Sequence, residues 1–306
     1  MNNLQKHIND YLNHCRHHKM LDSKTTKAYK IDLTQFCNYT NNVDVTTIPP
    51  SMLEEYISKL HCTYKPKTVK RKIASLKSFF HYLEFRDYIV NNPFNKIQVK
   101  FREPFILPKT IPLNTVETLL AAVYGQCSNA KTDYQRKNAL RDVAALELLF
   151  ATGIRISELC SLKMNDINLY DRTVLIYGKG SKERKLQIGN DDVVAILQKY
   201  KEAYLPDIQK TNYFFVNQSG APLSDQAVRR AINKYSSIAA IEMHITPHMF
   251  RHTFATSLLK ADVDIRYIQE MLGHSSINVT EIYTHVAMAK QRDILTTKHP
   301  RKNFNL

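Results

Sequence analysis

One segment constrains this chain more than any other: Thr246-Pro-His-Met-Phe-Arg-His-Thr-Phe-Ala-Thr256. Its apolar and polar residues alternate at helical spacing, and His248 and Arg251, three apart, then share one helical face. Downstream runs Leu272-Gly-His-Ser-Ser-Ile-Asn-Val-Thr-Glu-Ile-Tyr-Thr-His285, in which His274 precedes Tyr283 and a Gly and two Ser interrupt the run. Upstream, Arg155 lies in Ala151-Thr-Gly-Ile-Arg-Ile-Ser-Glu-Leu159. Two Arg, two His and a Tyr make a set suited to attack on a phosphodiester without a metal.

The chain around this set is long enough for two domains at 306 residues. Its seven Gly, absence of Trp and abundance of Leu, Ile, Lys and Asn favour a mainly helical protein. The net charge of +15 points to a polyanionic partner, with nucleic acid the best fit, and the N-terminal third is the more basic per residue. Five Cys, at positions 15, 37, 62, 127 and 160, form no CxxC pair and suit a reducing cytoplasm. No signal-peptide pattern and no long apolar run is present, so neither secretion nor membrane insertion is expected.

Residues 1–100 read as a helical domain. Leu4, Ile8, Tyr11 and Leu12 mark one amphipathic stretch. Ser23 is the expected cap of a second, carrying Tyr29, Leu33 and Phe36. Pro49-Pro50 opens a third with Leu53, Tyr56, Ile57 and Leu60, and Pro66 a fourth with Val69, Ile73, Leu76, Phe80 and Leu83. The other faces of the fourth carry Lys67, Lys70, Arg71, Lys72 and Lys77. Residues 101–112, with Pro104, Pro108 and Pro112, read as a basic linker.

In residues 113–306 helices are expected over Leu113–Gln126, Asn138–Thr152, Asp191–Tyr204, Ser224–Ala239, Met249–Ala261, Asp264–Leu272 and about 276–289. Between the second and third of these, Thr173–Tyr177, a turn at Gly178-Lys-Gly-Ser-Lys-Glu183, and Lys185–Ile188 read as a β-hairpin.

Phosphodiester cleavage by a protein nucleophile needs positive charge at the non-bridging oxygens, a proton for the leaving alkoxide and a base near the nucleophile. Arg155 and Arg251 are candidates for the phosphate clamp, because guanidinium is planar, permanently charged and donates in parallel pairs. Tyr283 is the candidate nucleophile. Lys179, at the hairpin tip, is the candidate donor to the 5′ oxygen, with Lys182 as second choice, and His248 and His274 are candidates for proton handling and phosphate hydrogen bonding. Each motif alone is weak; Arg155 and Glu158, for instance, have the spacing of an ordinary helical ion pair. Their joint occurrence, in order, in one basic chain carries the assignment.

On these residues the chain resembles the tyrosine recombinases, the phage-integrase family, most closely the simple two-domain kind typified by the Xer recombinases. The segment around Arg155 resembles the family's first arginine box, with Glu158 as supporting acid. The turn Gly178–Arg184 resembles the lysine-bearing hairpin, Pro247–Thr256 the His-x-x-Arg box, Leu272-Gly-His-Ser-Ser the second-histidine box and Ile282-Tyr-Thr-His285 the nucleophile segment. Ser23-x-x-Thr26-x-x-Tyr29-x-x-Asp32-Leu33 and the basic helix near Arg71–Tyr82 resemble the N-terminal core-binding, SAM-like domain.

The resemblance implies a catalytic set of Arg155, Lys179, His248, Arg251, His274 and Tyr283. It also implies a C-shaped clamp on duplex DNA, a 3′-phosphotyrosine intermediate, a Holliday junction, and a homo-tetramer on two specific sites, with no metal or nucleotide cofactor. The tail Lys298–Leu306, with Phe304 and Leu306 as anchors, resembles a segment that docks on a neighbouring protomer. A second recombinase or an accessory protein is compatible with this reading, as are chromosomal and mobile-element roles.

Expected DNA contacts are Thr26, Lys70, Arg71, Lys72 and Lys182, with Arg229, Arg230, Asn233 and Lys234 on the helix whose buried side is Val228, Ile232 and Tyr235. His14-Cys-Arg-His-His18 lacks the paired spacing of a structural zinc site, so no metal is assigned. Two other functions share features of the pattern. A type IB topoisomerase uses the same chemistry on one duplex, and a DNA-binding module that has lost catalysis would not keep all six residues.

Overall fold

A computed structural model of the chain describes residues 3–99, 109–178 and 183–273. The chain divides into two compact units, Met1–Phe105 and Ile106–Leu306.

In the first unit, helices α1 (Leu4–His17), α2 (Ser23–Tyr39), α3 (Pro50–Thr63) and α4 (Pro66–Phe85) follow the apolar periodicity of the sequence. Prolines occupy the first turns of α3 and α4, where the missing N–H costs nothing. The cap of α2 is Asp22 rather than Ser23: the Asp22 carboxylate accepts from the Lys24 amide at 3.2 Å. Leu4, Tyr11, Leu33, Phe36, Leu53, Phe79 and Phe80 fill the core.

Two expected DNA contacts differ from their expected exposure. Thr26 is buried, its hydroxyl donating to the Asp22 carbonyl at 3.2 Å. Lys72 is only 3% exposed; its ammonium lies 3.1 Å from Asp32 Oδ1, donates to Gln35 and sits over the Tyr64 ring. Asp32, itself 1% exposed, also accepts from Arg71 and from Ser75 Oγ at 2.9 Å. The reason is register: Lys72 falls between Val69 and Leu76 on the apolar stripe of α4, so its stem follows that stripe inward and its charge needs a buried partner. Lys70 and Arg71 are on the exposed side.

The second unit contains α5 (Leu113–Ser128), α6 (Asp133–Thr152), α7 (Ile156–Ser161), α8 (Asp191–Thr211), α9 (Asp225–Ile238), α10 (Pro247–Lys260) and α11 (Ile265–Leu272), together with a three-stranded antiparallel sheet against which α11 packs. Its strands are β1 (Ile167–Asn168), β2 (Thr173–Tyr177) and β3 (Glu183–Gln187), in that order. The hairpin expected from sequence is β2–β3, with Val174 opposite Leu186 and Ile176 opposite Arg184. Short β1 and α7 carry too few residues to show a period.

Two helices outrun their sequence signals. The first turn of α6 is exposed and polar, and begins where Thr132 Oγ1 accepts from the Gln135 amide at 3.2 Å. Helix α8 continues through Pro206 because Ile208, beyond it, is fully buried, and it stops at left-handed Asn212. Buried Tyr200 is satisfied by the Phe214 carbonyl and the Val216 amide, both at 3.0 Å. The main core joins Val143, Leu146, Leu149, Tyr200, Phe214, Phe215 and Phe250. A smaller cluster of Ala255, Ile268 and Leu272 packs α10 against α11.

Candidate active site

The site forms where α6 ends, α7 and α10 begin and α11 ends. Helix α6 stops at Gly153, whose φ of +61° is the left-handed conformation that terminates helices. A side chain there would also collide with Phe254, since a Cβ would lie 2.6 Å from its Cδ1. This turn places Arg155 at the N-terminus of α7.

Arg155 is held from within its own turn. Glu158 Oε2 accepts from the Arg155 amide at 2.8 Å, and Glu158 Oε1 from Arg155 Nη1 at 2.8 Å. The Arg155 side chain keeps 34% of its surface exposed while Glu158 keeps 6%, so the carboxylate is the buried anchor and the guanidinium the presented group. Burial alone would raise the pKa of Glu158. The hydrogen bonds and charges of Arg184 and Arg155 outweigh it and hold the carboxyl below its ordinary range.

Arg251 is buried on α10. Its Nη1 donates to the Gly153 carbonyl at 2.9 Å and its Nη2 to the Leu272 carbonyl at 2.5 Å. It therefore joins the end of α6 to the end of α11, immediately before Gly273 and the sequence position of His274. His248, one turn earlier on α10, is exposed. Desolvation by its surroundings, then the positive charges of Arg229, Arg251 and Arg155, lower its pKa. Those three cations reach one imidazole, which places the two clamp candidates and His248 in one electropositive neighbourhood. His252, a turn further, is lowered by burial and by the charges of His248 and Arg251.

Arg229, expected on sequence as a DNA contact of α9, is thus also a neighbour of His248. Arg230, Asn233 and Lys234 are exposed on the same helix. Arg230 and Lys234 line a groove of about 920 Å³ with Lys131, Tyr134 and Asn217. Lys179, Lys182, His274, Tyr283, the helix expected over 276–289 and the tail Lys298–Leu306 lie outside the described residues, as does most of the linker.

Arg184 escaped the sequence reading as a site residue. It donates Nη1 and Nη2 to Glu158 Oε1 and Oε2 at 3.1 and 2.7 Å, and Nε to the Met271 carbonyl at 2.8 Å. The signal was available in the alternation of β3: if Leu186 points inward, Arg184 two residues before it does too.

Residues 112–290 match the phage integrase family, and residues 8–86 match its N-terminal SAM-like domain. The chain is 65% identical over its whole length to a tyrosine recombinase of Agathobacter rectalis, covering all of that protein as well. It is 35% identical to tyrosine recombinase XerD of Listeria monocytogenes, over 96% of this chain and 98% of that one. The crystal structure of XerH site-specific recombinase bound to a palindromic difH substrate superposes with a TM-score of 0.73 at 24% identity, over 89% of this chain and 79% of that one, and shares the fold.

The chain belongs to the phage integrase family, the tyrosine recombinases. It is an enzyme of site-specific DNA recombination, and relatives that are recombinases favour that activity over the topoisomerase alternative. The mainly helical class, with a small sheet and an N-terminal SAM-like domain ahead of the catalytic one, is as the sequence led us to expect. No described helix is long and apolar enough to cross a membrane.

Proposed function

We propose that Tyr283 attacks the scissile phosphate of a specific duplex site to give a 3′-phosphotyrosine, while Arg155 and Arg251 hold the non-bridging oxygens. Lys179 protonates the departing 5′ oxygen, His248 assists proton transfer and His274 hydrogen-bonds the phosphate. Each broken phosphodiester becomes an ester of similar energy, so the strand can be rejoined without energy input. No step calls on a metal or a nucleotide.

The observation that carries this reading is that Arg251, on the same turn of α10 as His248, bonds the Gly153 carbonyl two residues before Arg155, which brings both clamp candidates and His248 to one place. Glu158 supplies one negative charge against the guanidiniums of Arg155, Arg184 and Arg251, which leaves excess positive charge, and a phosphate with two charged oxygens fits planar paired donors. With desolvation and three neighbouring cations, His248 stays neutral and able to accept a proton at neutral pH.

Exposed Lys70, Arg71, Arg230, Asn233 and Lys234, together with Lys182, contact the DNA. Buried Thr26 and Lys72 shape the first unit instead of touching phosphates. Residues 1–100 form the core-binding domain, 101–112 the linker and 113–306 the catalytic domain, and both domains engage one duplex. Lambda integrase has been crystallised as a tetramer on a Holliday junction. By analogy, four copies of this chain act on two synapsed sites through such a junction, in the cytoplasm, with Phe304 and Leu306 docking the tail on a neighbour.

Arg155→Ala and Arg251→Ala, assayed by cleavage of a nicked suicide duplex, are each expected to lose more than about 10²-fold in rate, as when a preorganised oxyanion donor is removed. A loss of only a fewfold would remove that arginine from the clamp.

A further inference from the structure

Glu158 carries two guanidiniums, not one. Arg155 reaches it from its own helical turn, and Arg184 reaches it from β3 with a parallel pair of bonds at 3.1 and 2.7 Å. Arg184 is the more buried partner, 9% exposed against 34% for Arg155. Its third donor, Nε, goes to the Met271 carbonyl in the last turn of α11. Its stem and head also pack against Gly273: a Cβ added there would lie 3.0 Å from Nη1 and 3.2 Å from Cδ, in a residue whose φ is +63°.

Arg184 therefore touches the Glu158 carboxylate and two points of backbone, the Met271 carbonyl and Gly273. On β3 it stands on the inward face, opposite Ile176, where the strand's alternation would otherwise place an apolar residue. A buried guanidinium in such a position is retained only with its charge and donors met. Here the carboxylate meets the charge and the α11 carbonyl takes the remaining edge. In sequence it follows residues 179–182 by two, and the carbonyl and glycine that it touches precede His274 by three and one.

We propose that Arg184 is a positioning residue for strand cleavage: it locks Glu158 so that Arg155 is presented in one orientation, and it ties the lysine-bearing hairpin and the end of α11 to that same carboxylate. The inference rests on the reading of Arg155 as part of the phosphate clamp. Arg184 contacts no DNA in this role. Without it, Glu158 has one guanidinium instead of two, Arg155 turns toward the vacated oxygens, and the start of α7, strand β3 and the end of α11 lose their common reference point.

The test uses the full-length protein and single-turnover cleavage of a nicked suicide duplex at saturating DNA, with DNA affinity measured alongside. Arg184→Gln is expected to slow cleavage roughly tenfold to a hundredfold, the range for a small misplacement of a reacting group. DNA affinity is expected to stay at the parent value. Arg184→Lys is expected to be as slow, because an ammonium cannot span both carboxylate oxygens and the Met271 carbonyl. If Arg184→Gln does not fold, Arg184→Lys is judged by the same criteria.

The double variant Arg184→Gln/Arg155→Ala is expected to lose clearly less than the product of the two single losses, since part of the effect of Arg184 passes through Arg155. Cleavage at the parent rate in the Arg184 variants, a loss confined to DNA affinity, or multiplied losses in the double variant would each overturn the proposal. Normal cleavage by Arg155→Ala would instead defeat the clamp reading on which it rests.

Discussion

At the scale of single residues, charge placement governs the site. Glu158 organises two arginines from a buried position, and His248 is kept neutral by desolvation and by neighbouring cations. The pKa of His248 lies below 6.5, so the cleavage rate is expected to hold through neutral pH and fall only once the pH drops below that value. A folded pKa below the unfolded one also means that acidification through this window favours the unfolded chain, so activity and stability decline in the same direction. A pH–rate profile of the parent and of His248→Gln checks this. A midpoint at or above 6.5, or an unaltered profile in the variant, would contradict the role given to His248. The shared helical placement of His248 and Arg251, three residues apart on α10, and the pairing of Arg155 with Glu158 were legible in sequence because their spacing is short. The inward placement of Arg184 could have been read from the alternation of β3, but its partners could not, because they stand 26 and 87 positions away and only the fold brings them together.

At the scale of elements, the helices of the first unit and the β2–β3 hairpin were readable because their apolar residues recur at periods of 3.6 and 2. The start of α6 and the end of α8 were not: exposed polar turns carry no period, and Pro206 gives a stop signal that burial of Ile208 overrides. The sequence reading put Lys72 with the basic residues off the apolar stripe of α4 and among the DNA contacts, yet it lies on the buried stripe and pairs with Asp32. That pair joins α2 to α4 inside the core. Asp32→Ala is expected to destabilise the first unit by about 3–5 kcal/mol, because it strands a buried ammonium. Chemical denaturation of the parent and variant measures this; a change within ~0.5 kcal/mol would place the pair among surface contacts of little weight.

For the whole molecule, a net charge of +15 and two units that match a DNA-recombining family lead us to expect a DNA affinity set largely by released counterions. Affinity for its duplex is expected to fall roughly 10³-fold or more between 50 and 200 mM salt, the loss for six or more phosphate contacts. A titration series across that range reads the slope, and a flat response would contradict binding through basic faces. The recombinase family was legible from four ordered boxes, whereas the target sequence was not, because base readout depends on docking geometry rather than on residue type. The claim on which the rest depends is that a phenol in this chain becomes esterified to DNA. Trapping the protein on nicked suicide DNA and mapping the modified peptide by mass spectrometry tests it directly. A nucleotide 3′-phosphate joined to Tyr283, absent in Tyr283→Phe while DNA binding persists, is the predicted result; free 3′ ends or a nucleotide on another side chain would contradict it.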